Sequence, residues 1–546
     1  MPPPTHRRRR FAAAALAALA LAGSASAGAT CDASKNKAVS TEFVKTSGIN
    51  FALGGKPWFF GGTNAVYLLN GPDFPEAEID PFFCVQANQG AKVVRVAAYL
   101  NGFGCKECTK TPNPIQPKVG VFNEGTLQRL DKMVASAKAH GIRLIMTLGN
   151  FEEQWGGMQW YVDEVLGSGG SAELSGGDKH LFYTDPKVRD AYKAHARTII
   201  GRKNTVTGVP YKDEPAILGW EVLNEPHTKD EYERKGGAVC ASTPGGCVPG
   251  KLAYTWIAEM SAYIKSLDAR HLVSTGEEGY RADGATNCCH NNWVNGGFKG
   301  EDFTKNTALP TIDFATVHVY PDHWQIEAKE YDWIGPNYIA DRAKVAHAAG
   351  KPIIMEEYGM ENGYMNRDAL LSYLTREAAA NDYAGSLVWA VWSRNVPRVT
   401  CSGCSYDFEY GDEGTKAMTD YYGAMNAKSA ATGAAAKATG VETATEATAG
   451  EPASPSWDEA HLSLADAVAS SARDAVEKQA VADAAQRAVT DAVAAALDAE
   501  GAGSDSLLAA LAGAALGEEG GRARAAAAVA SDVAAEVRLQ AAAGLN

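Results

Sequence analysis

Two short acidic stretches hold the residue types for acid–base displacement: Asn224-Glu225-Pro226, and Glu356-Glu357-Tyr358-Gly359. One carboxyl can donate a proton to a leaving oxygen while another attacks carbon or activates water, the pairing that cleavage of a glycosidic bond needs. Glu225 and Glu357 form the candidate pair. A proton donor needs a pKa raised toward the working pH, which partial burial beside aromatic and amide groups supplies. The attacking group must stay ionised, so a cation and a hydroxyl donor should stand near it, roles open to Arg95 and Tyr320. Asn224 can hydrogen-bond a sugar 2-hydroxyl, and Trp389 offers an apolar face to a pyranose ring. His318, Asn150 and Trp155 complete the set.

Each of these residues alone is ordinary. Asn-Glu-Pro is common in loops, Arg95 could partner any buried carboxylate, His318 could be a core histidine, and Trp389 and Trp392 could be core. Their positions along the chain argue otherwise. Eight short apolar, β-rich runs alternate with amphipathic helical runs between residues 38 and 426. The runs are Phe59 to Leu68, Lys92 to Tyr99, Arg143 to Leu148, Ile217 to Leu223, His271 to Thr275, Asp313 to Val319, Pro352 to Tyr358 and Ser386 to Trp389. Between them, Leu127, Leu130, Met133, Val134 and Ala137 mark one face of a helix over Thr126 to His140. Eight strand–helix units predict an α/β fold, a (β/α)8 TIM barrel with loop insertions, whose active site lies at the carboxyl ends of the strands. The candidate residues fall at those ends on successive strands. Adjacent strand residues face opposite sides, so only one of Glu356 and Glu357 should point at a sugar.

Composition narrows the alternatives. With 46% hydrophobic and 9% aromatic residues the chain is too apolar for disorder, and a formal charge of -14 argues against a nucleic-acid partner. Residues 1–27 carry Arg7 to Arg10, an apolar run from Phe11 to Ala22 and Ala25-Ser26-Ala27, the layout of a secretory signal, with a plastid transit peptide as the rival reading. No later segment resembles a membrane helix, so a released or wall-associated protein without a membrane partner is expected. All 10 cysteines lie beyond the signal and read as disulfides of unspecified pairing. Cys105-x-x-Cys108 and Cys401-x-x-Cys404 could form a thiolate zinc site, but short-loop disulfides are favoured and no metal is expected. After Asn426 the aromatic content collapses to Trp457: residues 427–456 read as a linker, and 457–546 as an Ala-rich, helical or disordered tail whose partner is unknown.

The residues resemble glycoside hydrolase family 5, more narrowly its plant and fungal endo-β-1,4-mannanase type. The resemblance rests on Gly62-Thr63-Asn64-Ala65-Val66-Tyr67, Gly156-Gly157-Met158-Gln159-Trp160-Tyr161-Val162, Phe182-Tyr183-Thr184-Asp185-Pro186, and Thr207 to Pro215 leading into Gly219-Trp220-Glu221-Val222-Leu223-Asn224-Glu225-Pro226. Ile312 to Trp324 adds a further stretch. It runs in order over about residues 40 to 425 and excludes the tail. It implies that Glu225 is the acid/base and Glu357, placed before an aromatic and a glycine, the nucleophile. Arg95, Asn224, His318, Tyr320 and Trp389 would line the subsite of the cleaved sugar. The family reaction retains configuration, which places the two carboxyls about 5 to 5.5 Å apart.

The expected activity is therefore secreted, retaining hydrolysis of internal β-1,4 bonds of mannan, glucomannan or galactomannan without metal or cofactor. Trp155, Trp389 and Tyr67 would line an open cleft. Two departures stand out: Ala97 replaces an aromatic usual in the family and opens the glycone side, and His227 stands where arginine is common, implying a weaker aglycone contact. Rival readings are the same machinery acting on β-glucan, and a catalytically silent polysaccharide-binding wall protein.

Overall fold

The computed structural model describes residues 30–70, 74–103, 113–153, 155–167, 179–228, 248–283, 294–297, 299–324, 332–361, 366–393, 395–396 and 406–438. The segments expected as a signal, most of the linker, the Ala-rich tail and every cysteine except Cys31 and Cys84 lie outside these residues. Those two cysteines form a disulfide with Cα atoms 5.3 Å apart. Among the described residues no helix is long and apolar enough to cross a membrane.

A three-stranded antiparallel sheet comes first, β1 (Lys45–Ser47), β2 (Asn50–Leu53) and β3 (Lys56–Trp58). Eight strands follow: β4 (Phe60–Asn64), β5 (Val93–Ala97), β6 (Arg143–Thr147), β7 (Ile217–Glu221), β8 (Leu272–Ser274), β9 (Ala315–Val319), β10 (Ile353–Tyr358) and β11 (Gly385–Val388). They pair in parallel in the order β8-β7-β6-β5-β4-β11-β10-β9. The Asp313 N–H donating to the Val273 carbonyl at 2.8 Å, and the His318 N–H to the Glu278 carbonyl at 3.0 Å, tie β8 to β9 and close the ring. This is the (β/α)8 barrel expected from the alternating runs. Almost every barrel-strand residue is buried, which is why the strands read as apolar runs without polar alternation.

The helices show local reasons for their ends. Glu124–His140 starts at Asn123, whose side chain accepts the Gly125 N–H, and stops at Gly141 in the left-handed region, φ 76°. A Cβ on Gly141 would meet the Lys37 carbonyl oxygen at 2.3 Å. Pro186–Ile200 begins with proline behind Asp185, which caps the Lys187 and Val188 N–H groups.

Three expectations shift. The run expected as one strand to Leu68 is a strand only to Asn64, followed by a 3-10 turn, Val66–Leu69, because burial of an apolar run does not fix its conformation. The initial sheet escaped notice because its strands are short and exposed or half-buried; Phe51 alone plunges inward, against Phe60 and Phe314, so the sheet caps the amino end of the barrel. The boundary expected at Asn426 falls inside the helix Thr415–Ala438. That helix is bonded to the barrel on both sides of Asn426: the Tyr422 hydroxyl donates to the Gly62 carbonyl at 2.7 Å, and the Phe59 N–H donates to Ser429 Oγ at 2.9 Å. The barrel unit therefore takes in the whole helix to Ala438.

Candidate active site

Arg95, on β5, is a guanidinium with 1% exposure, so its charge demands partners. Its Nε and Nη2 donate to the two oxygens of Glu221 at 2.7 and 2.6 Å. Nη2 also reaches Asn224 Oδ1 at 2.6 Å, and Nη1 reaches Asn64 Oδ1 at 3.1 Å and Glu357 Oε1 at 2.5 Å. Burial alone would lower the Arg95 pKa, but Glu221, Glu356 and Glu357 raise it well above its ordinary value. The cation therefore stays charged and fixes Glu357 and Asn224 at once. Sequence reasoning missed Glu221. The signal was present: a carboxylate inside the apolar run Ile217 to Leu223 must find a cation.

Glu357 takes its second fixed contact from the Tyr320 hydroxyl, which donates to Oε2 at 2.6 Å. Across the site, Glu225 Oε1 lies 2.8 Å from His318 Nδ1. Burial and the nearby negative charge of Glu278 push the Glu225 carboxyl up to about 7, with His318 opposing the rise. Glu225 is held in the left-handed backbone region, φ 52°, by its own N–H bond to the Gly276 carbonyl at 2.8 Å. A glutamate there costs roughly 1–3 kcal/mol that the surrounding structure offsets. Ligating atoms of Glu225, His318 and Glu357 all lie within 4.8 Å of one another. Asn224 donates to Asn150 Oδ1 at 2.9 Å, so two amides and Arg95 form one network at the base of the acid.

The doublet Glu356-Glu357 departs from the expected alternation. The pairing of β10 with β9 slips between Met355 and Glu357, a bulge that opposes Glu357 to His318. Both carboxyls consequently turn toward Arg95 and His318. Glu356 Oε2 stands 3.7 Å from Arg95 Nε and 3.5 Å from His318 Nε2. The expectation that one of the two points away is thus corrected, because the period-2 rule fails at a bulge.

The aromatic candidates divide. Trp389 and Trp155 are half-buried and pack with Val66, Ala97 and Tyr99 into one apolar patch beside the polar network. Tyr67 is not a cleft platform. Its ring is buried against Trp392, Phe74 and Phe82, and its hydroxyl donates to the Val391 carbonyl. Tyr67 would face the cleft only if β4 continued extended past Asn64; the 3-10 turn Val66–Leu69 carries it into the core instead. His227 is likewise buried, edge-on to Phe151, with Nδ1 3.1 Å from Glu278 Oε2. Glu278, Glu301 and His227 offer ligand types in one place, but Lys299 Nζ, 3.5 Å from Glu278 Oε2, already supplies a cation there. Glu278 and Tyr280 were also missed, since they lie beyond the end of a short strand in a Gly-rich turn.

A barrel that opposes a proton-bearing carboxyl to a second carboxylate, the latter gripped by a guanidinium and a phenol, has the apparatus of a glycoside hydrolase. Comparison with known proteins places the chain within that class. A sequence model of the family described as "GH family 5 beta-mannosidase-like" matches residues 41–383, and the chain belongs to that family. It is 35% identical over 326 residues to "Mannan endo-1,4-beta-mannosidase 7" of Arabidopsis thaliana, covering 58% of this chain and 68% of that protein. It is 32% identical over 402 residues to "Probable mannan endo-1,4-beta-mannosidase A" of Aspergillus oryzae, covering 71% and 89%. Among solved structures, the endo-1,4-beta-mannanase of Rhizomucor miehei is similar with a TM-score of 0.58 at 30% identity, covering 70% of this chain and 99% of that one.

Proposed function

We propose that this chain is a retaining endo-β-1,4-mannanase. The observation that carries the mechanism is the approach of Glu225, His318 and Glu357 to within 4.8 Å of one another. An inverting enzyme needs its carboxyls about 6.5–9.5 Å apart to admit a water between them, whereas the shorter gap suits direct attack by one carboxylate. Glu357, oriented by Arg95 and Tyr320, attacks the anomeric carbon. Glu225, carrying a proton near neutral pH, delivers it to the departing oxygen. In the second step the same carboxylate takes a proton from water, which releases the sugar from Glu357 with its configuration retained. The remaining amide hydrogen of Asn224 faces the 2-hydroxyl, and the Trp389 ring lies under the pyranose.

The substrate class is supported by the names of the relatives. Release from the cell is supported by the charge, apolar and small-residue layout of residues 1–27, and the Cys31–Cys84 disulfide suits an oxidising compartment. The experiment is hydrolysis of linear β-1,4-mannan by the full chain and by Glu357→Ala, followed as oligosaccharide products against time, with carboxymethylcellulose in parallel. Mixed mannan oligosaccharides from the wild type, and near-zero turnover by the variant, are expected. Cleavage of carboxymethylcellulose in place of mannan would move the substrate to β-glucan, and binding of either without turnover would leave a silent polysaccharide-binding protein.

A further inference from the structure

Glu356 is fully buried and neither of its carboxyl oxygens has a hydrogen-bond partner among the described residues. The Nε2 atom of His318 is also buried without a partner, and the two groups face each other at 3.5 Å. Two unsatisfied buried groups in one place cost stability, a cost that a role in the reaction would explain. The opposite ring nitrogen, Nδ1, lies 2.8 Å from Glu225 Oε1 and 3.5 Å from Glu357 Oε2. The imidazole therefore bridges Glu356 on one side and the reacting carboxyls on the other. Without the bulge in β10, Glu356 would project outward among the helices, and this bridge would not exist.

We propose that Glu356 is a positioning residue for the acid: it engages the far nitrogen of His318, so that the near nitrogen keeps its hydrogen directed at Glu225. The inference rests on the acid role of Glu225 proposed above. The groups that face this pair are Arg95 on β5 at 3.7 Å from Glu356, Glu221 behind Arg95, Glu225 after β7, Glu278 after β8, and Glu357 with the Tyr320 hydroxyl. Burial would lower the pKa of His318, yet Glu357, Glu225 and Glu356 together hold it well above the ordinary histidine value. An imidazolium there opposes protonation of Glu225. With its far partner removed, His318 gives up its proton more readily, and the Glu225 pKa rises.

The test is the pH dependence of kcat/KM on a soluble mannan oligosaccharide for the full chain, Glu356→Leu and Glu356→Gln. Leucine keeps the volume without an acceptor, whereas glutamine keeps a carbonyl oxygen for Nε2–H. Glu356→Leu should lower kcat about tenfold, the lower end for losing a contact between charged groups, here the one at 3.5 Å from Nε2, with KM unchanged and the alkaline limb displaced upward. Glu356→Gln should restore both kcat and the limb. Equal losses in both variants with unmoved limbs, or wild-type behaviour of Glu356→Leu, would overturn the proposal. Should neither variant fold, nitrogen NMR of the wild-type histidine rings decides: a hydrogen on Nδ1 of His318 at the pH of greatest activity is expected, and a bare Nδ1 there refutes the role. Glu225→Gln, assayed alongside, must abolish hydrolysis; if it does not, the acid assignment fails, and with it this inference.

Discussion

Arg95 and Glu221 form a two-point ion pair inside the barrel, Nη2 to Oε1 at 2.6 Å and Nε to Oε2 at 2.7 Å, both side chains essentially sealed from water. Two of the five guanidinium hydrogens are spent on this grip, which leaves Nη1 and the rest of Nη2 to hold Glu357 and Asn224.

Glu221→Ala should therefore destabilise the barrel by about 1–3 kcal/mol, since two buried guanidinium hydrogens lose their acceptor while Glu357 still partners the charge. Activity should fall as well, because Arg95 loses the contact that aims it. Urea unfolding of both proteins measures the first effect. A difference under about 1 kcal/mol, the range of exposed pairs, would show that Glu221 is not what holds Arg95.

Tyr320→Phe removes only the hydroxyl that donates to Glu357 Oε2. A hydrogen bond to a charged group contributes about 1.5–3 kcal/mol, so kcat should drop about 10- to 100-fold while KM changes little. Steady-state kinetics on mannan oligosaccharides gives the answer directly; a loss confined to KM would make Tyr320 a substrate contact instead.

On the acid role proposed for Glu225, the alkaline limb of kcat/KM reports loss of its proton. Because its carboxyl is pushed up to about 7, activity should fall about tenfold for each pH unit beyond neutrality. Glu278 supplies part of that upward push, and although burial favours its neutral form, Lys299 and His227 keep it ionised. Glu278→Gln deletes a negative charge near the acid, so the limb should move to lower pH. An unmoved limb would mean that burial alone sets the proton affinity of Glu225.

The position of a stop codon separates two readings of the carboxyl-terminal fifth. A chain ending at Thr443 keeps the whole helix Thr415–Ala438 and should hydrolyse mannan at the full-length rate. A chain ending at Asn426 loses Ser429, whose hydroxyl receives the Phe59 N–H and donates to the Phe59 carbonyl, and should melt at a lower temperature. Equal melting temperatures would restore the boundary to Asn426.

How far the site could be read from sequence follows from how each residue is specified. Glu225, Glu357, Asn224, His318 and Tyr320 sit at or near the ends of short apolar runs, and a barrel must bring such positions to one mouth, while Arg95 shows as a lone cation in the middle of its run. Glu221 was hidden because its run looks uniformly apolar around it. The inward turn of Glu356 depends on a bulge, a slip in pairing that no residue type between Met355 and Tyr358 announces. Tyr67 failed for a related reason: its fate depends on whether the backbone continues extended after Asn64, and the aromatic neighbours that claim it, Phe74, Phe82 and Trp392, are scattered along the chain. The end of the last helix was obscured by composition, since alanine serves a packed helix and a tail equally well.

The Ser429 latch on Phe59 also bears on how the barrel is made. The two residues are separated by 370 positions, and the first barrel strand begins one residue after Phe59. Contacts of such long sequence separation form late, because the entropy of closing so long a loop is lost before the contact can offset it. A ribosome that has released everything up to residue 428 still holds back the piece that fastens β4. Premature docking of the early strands is thus left unlatched, and hydrogen exchange during refolding should find the Phe59 amide among the last to gain protection.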